Sequence, residues 1–253
     1  MTKTAKPQNI SKKTWDRLPT HGFRKLARAI LKPALCSIRA MSIKWRSYGK
    51  VKYFCIGRNK TGTTSLKHAF ADLGFDVGEQ RKAEKLTAKY YLEGNFKPII
   101  DYCKSAQVFQ DAPFSYPNTF KLLDEAYPNS KFILTVRDDA EQWYRSLTRF
   151  HAKKFGRDGR IPTVEDLKAA KYVWPGFIYN SVKIHGATDD DPYNKKILTA
   201  HYDKHNSDVI EYFKNRPDDL LVINISQSGE YQKFVEFLGI DSPYEDFPWE
   251  NRT

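Results

Sequence analysis

The chain is short of several things that would narrow its chemistry. It holds three cysteines in 253 residues, Cys36, Cys55 and Cys103, an odd and widely spaced set with no Cys-x-x-Cys and no neighbouring histidine pair. That excludes a disulfide framework and a Cys/His zinc site, and it fits a reducing compartment. No apolar run approaches the ~18–20 residues that cross a bilayer, and the first residues lack the uninterrupted apolar stretch of a secretory signal. A soluble, cytoplasmic protein is the expectation. Repeats and low-complexity tracts are absent too. Acid is scarce at one end: residues 1–50 carry 13 Lys and Arg against the single Asp16, whereas the remainder balances at 29 basic and 29 acidic residues. The net charge of +12 therefore belongs to a leader and not to the body of the chain.

What is present reads as one packed domain behind that leader. With 40% hydrophobic and 14% aromatic residues the chain is too rich in core-forming side chains to be disordered, and 253 residues suit a single full domain with extensions. Within residues 23–45, Phe23, Leu26, Ile30 and Leu31 fall at helical spacing among Arg24, Lys25, Arg28 and Lys32, up to a break at Pro33. Such a helix either packs on its own domain with a solvated basic face or lies on an anionic membrane or polyanion. A peripheral membrane contact through residues 1–50 is the expectation for a partner. No specific nucleic acid is expected, because no nucleic-acid motif accompanies the charge.

From residue 51 the pattern alternates. "VKYFCIG", "AQVFQDAP", "SKFILTVRD" and "DLLVINIS" are continuous apolar runs of the kind that parallel sheets bury on both faces. "TTSLKHAFADLGF", "PNTFKLLDEAY" and "YNKKILTAHYDKHNSDVIEYFKN" read as helices between them, the first stopping at Gly74. The expected fold class is α/β: a doubly wound, mainly parallel sheet over residues 51–253, with ligands at the carboxyl ends of its strands. Residues 150–194, with Trp174, Pro175, Phe177 and Tyr179 clustered, read as an insertion over the active face, the expected acceptor site, and equally as an aromatic-rich helical subdomain. Lys153, Lys154, Arg157 and Arg160 within it suit an anionic acceptor and, equally, a solvated surface.

The chemistry concentrates in "GRNKTGTTS", between the first strand and the first helix. Such a loop aims unpaired backbone N–H groups and the positive end of a helix dipole at one point, the arrangement that binds phosphate. Gly57 and Gly62 let it close, Lys60 brings a mobile charge, and Thr63, Thr64 and Ser65 add hydroxyl donors. A nucleotide kinase carries Lys directly after the second Gly, where this chain has Thr63.

"GRNKTGTTSL" resembles the 5′-phosphosulfate loop of sulfotransferases that use 3′-phosphoadenosine 5′-phosphosulfate (PAPS), whose loop is a P-loop reading Lys-(Ser/Thr)-Gly-Thr-Thr. "YPNSKFILTVRDDAEQWYRSL" is similar to that family's 3′-phosphate site, a strand ending in Arg before a helix carrying Ser. The resemblance runs over roughly residues 51–240. It implies PAPS as co-substrate, PAP as product and no metal. It assigns Arg58, Asn59, Lys60, Thr61, Gly62, Thr63, Thr64 and Ser65 to the 5′ end, and Arg137 and Ser146 to the 3′-phosphate. Ser146 follows Arg137 by nine residues, one more than in much of the family, and Arg145 competes with it. The family's glycine-rich adenosine element near the C-terminus has no counterpart here.

The cytosolic branch places a catalytic His before a small residue and Pro, where this chain has Asp111-Ala112-Pro113. The resemblance thus implies Asp111 as the base that takes the acceptor's proton and Lys60 as the group that stabilises the leaving charge. Independently, a carboxyl at the end of a buried strand is placed for a raised pKa, or for capping the next turn. His68, His205 and Asn206 are the alternatives, and Tyr202 is a candidate contact to the nucleotide. The expected activity is sulfuryl transfer to a hydroxyl of a carbohydrate or small molecule. The competing readings are a nucleic-acid- or membrane-binding protein with a vestigial nucleotide site, and a P-loop kinase that recruits Asp111 or Asp138 to magnesium.

Overall fold

The computed structural model describes residues 47–87 and 91–248. The basic helix expected over residues 23–45, and with it most of the proposed membrane contact, lies outside the described residues. Four strands, β1 (Tyr53–Cys55), β2 (Val108–Gln110), β3 (Lys131–Thr135) and β4 (Leu220–Ile223), form one sheet in the order β2-β1-β3-β4, with every pair parallel. Parallel neighbours require long crossovers, and helices supply them. In chain order these are α1 (Thr63–Asp72), α2 (Gln80–Leu86), α3 (Lys97–Tyr102), α4 (Thr119–Ala126), α5 (Ala140–Phe155), α6 (Val164–Ala169), α7 (Phe177–Ile184), α8 (Lys195–Phe213) and α9 (Glu230–Leu238).

The two-residue alternation of the strands sorts their side chains into two cores. Phe54, Ile56, Phe109, Phe132 and Leu134 pack on Ile99 of α3, Phe120 and Leu123 of α4, and Val209 and Phe213 of α8. Tyr53, Cys55, Val108, Ile133 and Ile223 face the other way, onto Leu66 and Phe70 of α1 and Phe234 and Leu238 of α9. Burying each such side chain stabilises the fold by about 1.5–3 kcal/mol, which is how strands of three to five residues hold together. Local signals end the helices where the sequence puts them. Gly74, at φ +83°, closes α1 with its N–H on Ala71 O (3.0 Å), and Phe75 N–H reaches back to Phe70 O (3.0 Å). Asp139 caps α5 through Gln142 N–H (2.6 Å), and Thr163 with Asp166 forms a capping box on α6.

A third cluster lies beyond the carboxyl edge of the sheet, where Trp143 and Leu147 of α5 meet Leu167, Phe177, Val182, Leu198 and Tyr202. The segment 150–194 builds much of it as the end of α5 with α6 and α7. Because the chain leaves β1 for β2 on one side and crosses back to β3 on the other, a crevice opens at the carboxyl ends of β1 and β3. The third cluster walls that crevice.

Candidate active site

The connection from β1 to α1 is clamped at three successive carbonyls. Arg58 O accepts from Thr61 Oγ1 (2.6 Å) within the loop, Asn59 O from Trp143 Nε1 (2.9 Å) and Lys60 O from Arg137 Nε (2.8 Å). A trans peptide points its N–H opposite to its carbonyl, so the amides of Asn59, Lys60 and Thr61 point away from those three partners. Gly57 admits this path: a Cβ there would stand 2.1 Å from Thr135 Oγ1 and 2.5 Å from Thr135 O. Gly62 sits at φ +98° against Ile225, and Lys60 itself takes φ +70°. Helix α1 then starts with no side-chain cap and no acid in its first turn, leaving its amides and dipole to an outside acceptor.

These groups open onto a cleft of about 410 Å³, lined by Arg58, Asn59, Lys60, Gly62, Thr63, Thr64 and Ser65 on the loop side, together with Asp111 and Arg137. Burial lowers the pKa of Lys60, and the neighbouring Arg137 lowers it further. Two cations held this close and half out of water are stabilised by an anion between them. Lys60 Nζ lies 3.7 Å from the centre of the Phe150 ring, which braces it. Thr61 is turned from the cleft: it is fully buried, with its hydroxyl 2.6 Å from that of Thr135.

Arg137 follows β3 and meets the loop directly through its Nε on Lys60 O. Its backbone N–H donates to Tyr202 Oη (2.8 Å), and Tyr202 stacks on Trp143 with ring centres 4.9 Å apart. Tyr202 therefore acts on the site by holding Arg137. Neither acid next to Arg137 forms an ion pair with it among the described residues. Asp138 accepts from Asn224 Nδ2 (2.6 Å) and Gln142 Nε2 (2.7 Å), and Asp139 is occupied as the α5 cap. Ser146 does not line the cleft; its Oγ is buried without a hydrogen-bond partner.

Asp111 ends β2 in the left-handed region at φ +62°. Its Oδ1 accepts from Ala112 N–H (2.9 Å), the local capping bond, while Oδ2 accepts from Gln80 Nε2 (3.1 Å). Burial raises its pKa, against the pull of that Ala112 bond and of the Arg58 and Lys60 charges. Gln80 Nε2 also donates to Glu84 Oε1 (3.0 Å), so one amide bridges two carboxylates. Burial, and next the charge of Asp111, raises the pKa of Glu84. The other two groups on Glu84 are Tyr172 Oη (3.2 Å) and Arg81 Nη1 (3.0 Å). Gln80 and Glu84 both line the cleft, as do Tyr116, Phe155 and His185. The sequence reading singled out none of these five, nor Trp143. Spacing on α2 is the one signal for the first two, since residues four apart share a helix face.

The histidines weighed as alternatives lie elsewhere. His205 is buried, with Nε2 2.9 Å from Ile56 O, and burial lowers its pKa to about 3. His68 and Asn206 do not line the cleft. Of Lys153, Lys154, Arg157 and Arg160, Lys154 alone lines it. Arg157 and Arg160 instead grip Asp166, at 2.9 and 2.8 Å.

The family model of the sulfotransferase domain matches residues 52–253, four-fifths of the chain. The chain belongs to that family. No curated protein matches it. The sulfotransferase domain thus spans all four strands and every group that lines the cleft. Among the described residues no helix is long and apolar enough to cross a membrane.

Proposed function

We propose that this sulfotransferase domain uses PAPS as its donor and transfers the sulfuryl group to a hydroxyl of a carbohydrate or small-molecule acceptor. The observation that carries the reading is the loop whose carbonyls at Arg58, Asn59 and Lys60 are all engaged, by Thr61, Trp143 and Arg137, with the Arg137 guanidinium anchored beside Lys60. That gathers the loop and two cations along one wall of the cleft, as a nucleotide with more than one phosphate group requires. Ser146, whose Oγ is buried without a partner outside the cleft lining, reaches the second phosphate only if its surroundings open on binding.

Bound PAPS supplies an activated sulfuryl group on a phosphate leaving group. The loop amides, the open end of α1 and Lys60 hold that end and offset the charge that develops on the bridging oxygen. Asp111, across the cleft, accepts the proton from the acceptor hydroxyl through its Oδ2 edge. Gln80 fixes that edge, and burial keeps Asp111 a better base than a solvated carboxylate. Tyr172, Phe155 and Phe150 shield the reacting groups from water.

Sulfur-labelled PAPS incubated with the purified full chain and a panel of alcohols, phenols and sugars tests this. Label should move to an organic acceptor, with kcat falling about 10²–10³-fold in Lys60→Ala, as for loss of one oxyanion-type donor. No transfer to any acceptor, together with no PAP binding, would remove the donor assignment.

A further inference from the structure

Arg58 is the anomaly of the cleft. Its side chain is 1% exposed, yet among the described residues no carboxylate lies within ion-pair distance. Nη1 donates to the Ser115 carbonyl, Nε is buried with no partner, and its hydrogen bonds among the described residues end there. An unpaired buried guanidinium is costly to keep. Burial lowers its pKa to about 10, so it still holds its charge at neutral pH.

The side chain reaches the turn from Asp111 to Tyr116, the turn that carries the proposed base, and lies over the Tyr116 ring at 5.7 Å. Ser115 N–H is bonded to Asp111 O (3.0 Å), so the carbonyl held by Arg58 and the carboxyl of the base belong to one rigid turn. Tyr116 Oη meets Ser181 Oγ of α7 at 2.9 Å, and His185 stands one helical turn beyond Ser181. His185 is 2% exposed, and its Nδ1 also has no partner. Burial first, and the Arg58 charge next, hold His185, His201 and His205 neutral, which leaves Arg58 as the cation of this end. Arg58, Tyr116, Ser181 and His185 all line the cleft, beside the apolar Phe177 and Ile178.

Resting on the PAPS reading above, we infer that the acceptor carries a carboxylate, on an apolar body bearing the hydroxyl, and that Arg58 with His185 receives it. The free Nε edge of the guanidinium is the edge that takes a planar carboxylate side-on. A neutral imidazole with an open Nδ1 completes the set as a donor. This assigns acceptor charge recognition to the Arg58 side chain, and relieves Arg157 and Arg160, which grip Asp166, of that role.

The test is calorimetric titration of the full chain, held at saturating PAP, with para-hydroxyphenylacetate and hydroxydodecanoate and with the carboxamide of each. At least one acid should bind about ten-fold or more tightly than its amide, as a charged pair in a buried site requires. In Arg58→Gln the acid-to-amide ratio should fall to near one, and in Arg58→Lys part of it should return. The acid–amide comparison on the unaltered chain needs no variant, so a misfolded Arg58→Gln leaves it standing. PAP binding with acids and amides indistinguishable, or with no acid binding, overturns the inference alone. Failure of PAP to bind the unaltered chain overturns the donor reading and this inference together.

Discussion

Replacing Gly57 with alanine strikes the mechanical basis of the loop. The added Cβ would stand 2.1 Å from Thr135 Oγ1, 2.5 Å from Thr135 O and 2.6 Å from Thr135 N. Two of those atoms are backbone of β3, which pairs with β1 on one side and β4 on the other, so no rotamer change relieves the clash. The loop must lift off the strand. Overpacking of this kind costs about 1–3 kcal/mol, and losing the Thr61–Thr135 hydroxyl contact adds about 1 kcal/mol. At about 2–4 °C per kcal/mol for a domain of this size, a total near 2–4 kcal/mol lowers Tm by about 4–16 °C. Gly74→Ala is the control. Gly74 is also left-handed, at φ +83°, but a Cβ there meets nothing within 4 Å, so it costs only the backbone term of about 1–2 kcal/mol. Thermal unfolding and PAP titration of both variants decide the matter. Gly57→Ala should lose both Tm and at least about ten-fold in PAP affinity, since the amides it displaces are the proposed phosphate donors; Gly74→Ala should lose Tm alone. A Gly57→Ala protein with the Tm and PAP affinity of the unaltered chain would refute the packing of the loop on Thr135.

Further consequences follow from the titrating groups and from Ser146. Asp111→Asn should lower kcat by about 10²–10⁴-fold, the usual worth of a general base. Because burial raises the folded-state pKa of Asp111, its ionisation penalty is absent below the unfolded value and complete above the folded one. Asp111→Asn should therefore raise Tm at pH 7, and an unchanged or lower Tm there would contradict the burial. The acid limb of kcat/KM should lie above the ordinary carboxylate range near 4 and disappear in that variant. His151, His185, His201 and His205 are neutral in the folded protein, with pKa lowered to about 3 for the first and last and to about 2 for His201, so the unfolded chain takes up four more protons as pH falls below about 6.5. At about 1.4 kcal/mol per group and pH unit, up to about 5 kcal/mol of stability should be lost between pH 6 and 5. A flat Tm over that interval would exclude it. Ser146→Ala should leave the Tm of the ligand-free protein unchanged or slightly raised, since its Oγ has no partner to lose, and weaken PAP by about ten-fold; equal PAP affinity would detach Ser146 from the nucleotide.

The sheet was legible because its signal is local. Each strand is a short unbroken apolar run, and the alternation that sends Phe54 to one core and Cys55 to the other lies within three residues. The glycine loop was legible for the same reason, with Gly57 and Gly62 bracketing it between a strand and a helix. What clamps the loop was not, because Trp143 and Arg137 reach it across 84 and 77 residues of sequence. The bridge from Asp111 through Gln80 to Glu84 joins a strand end to a helix 31 residues earlier, and no periodicity marks such a meeting. Charge runs were ambiguous in sequence, fitting an anionic acceptor and a solvated surface equally. Arg157 and Arg160 belong to Asp166, while the buried cation of the cleft, Arg58, sits inside a motif whose family pattern speaks only of phosphate.

The central claim, a cleft built for a nucleotide with two separated phosphates, is tested most directly by calorimetric titration of PAP and of ATP-magnesium into the full chain and into Arg137→Ala. The account predicts that PAP binds without metal and more tightly than ATP-magnesium. It also predicts a loss of about 10–100-fold in Arg137→Ala, the worth of a charged hydrogen-bonded pair at a phosphate. ATP-magnesium binding in preference to PAP, or PAP binding that Arg137→Ala leaves untouched, would contradict it.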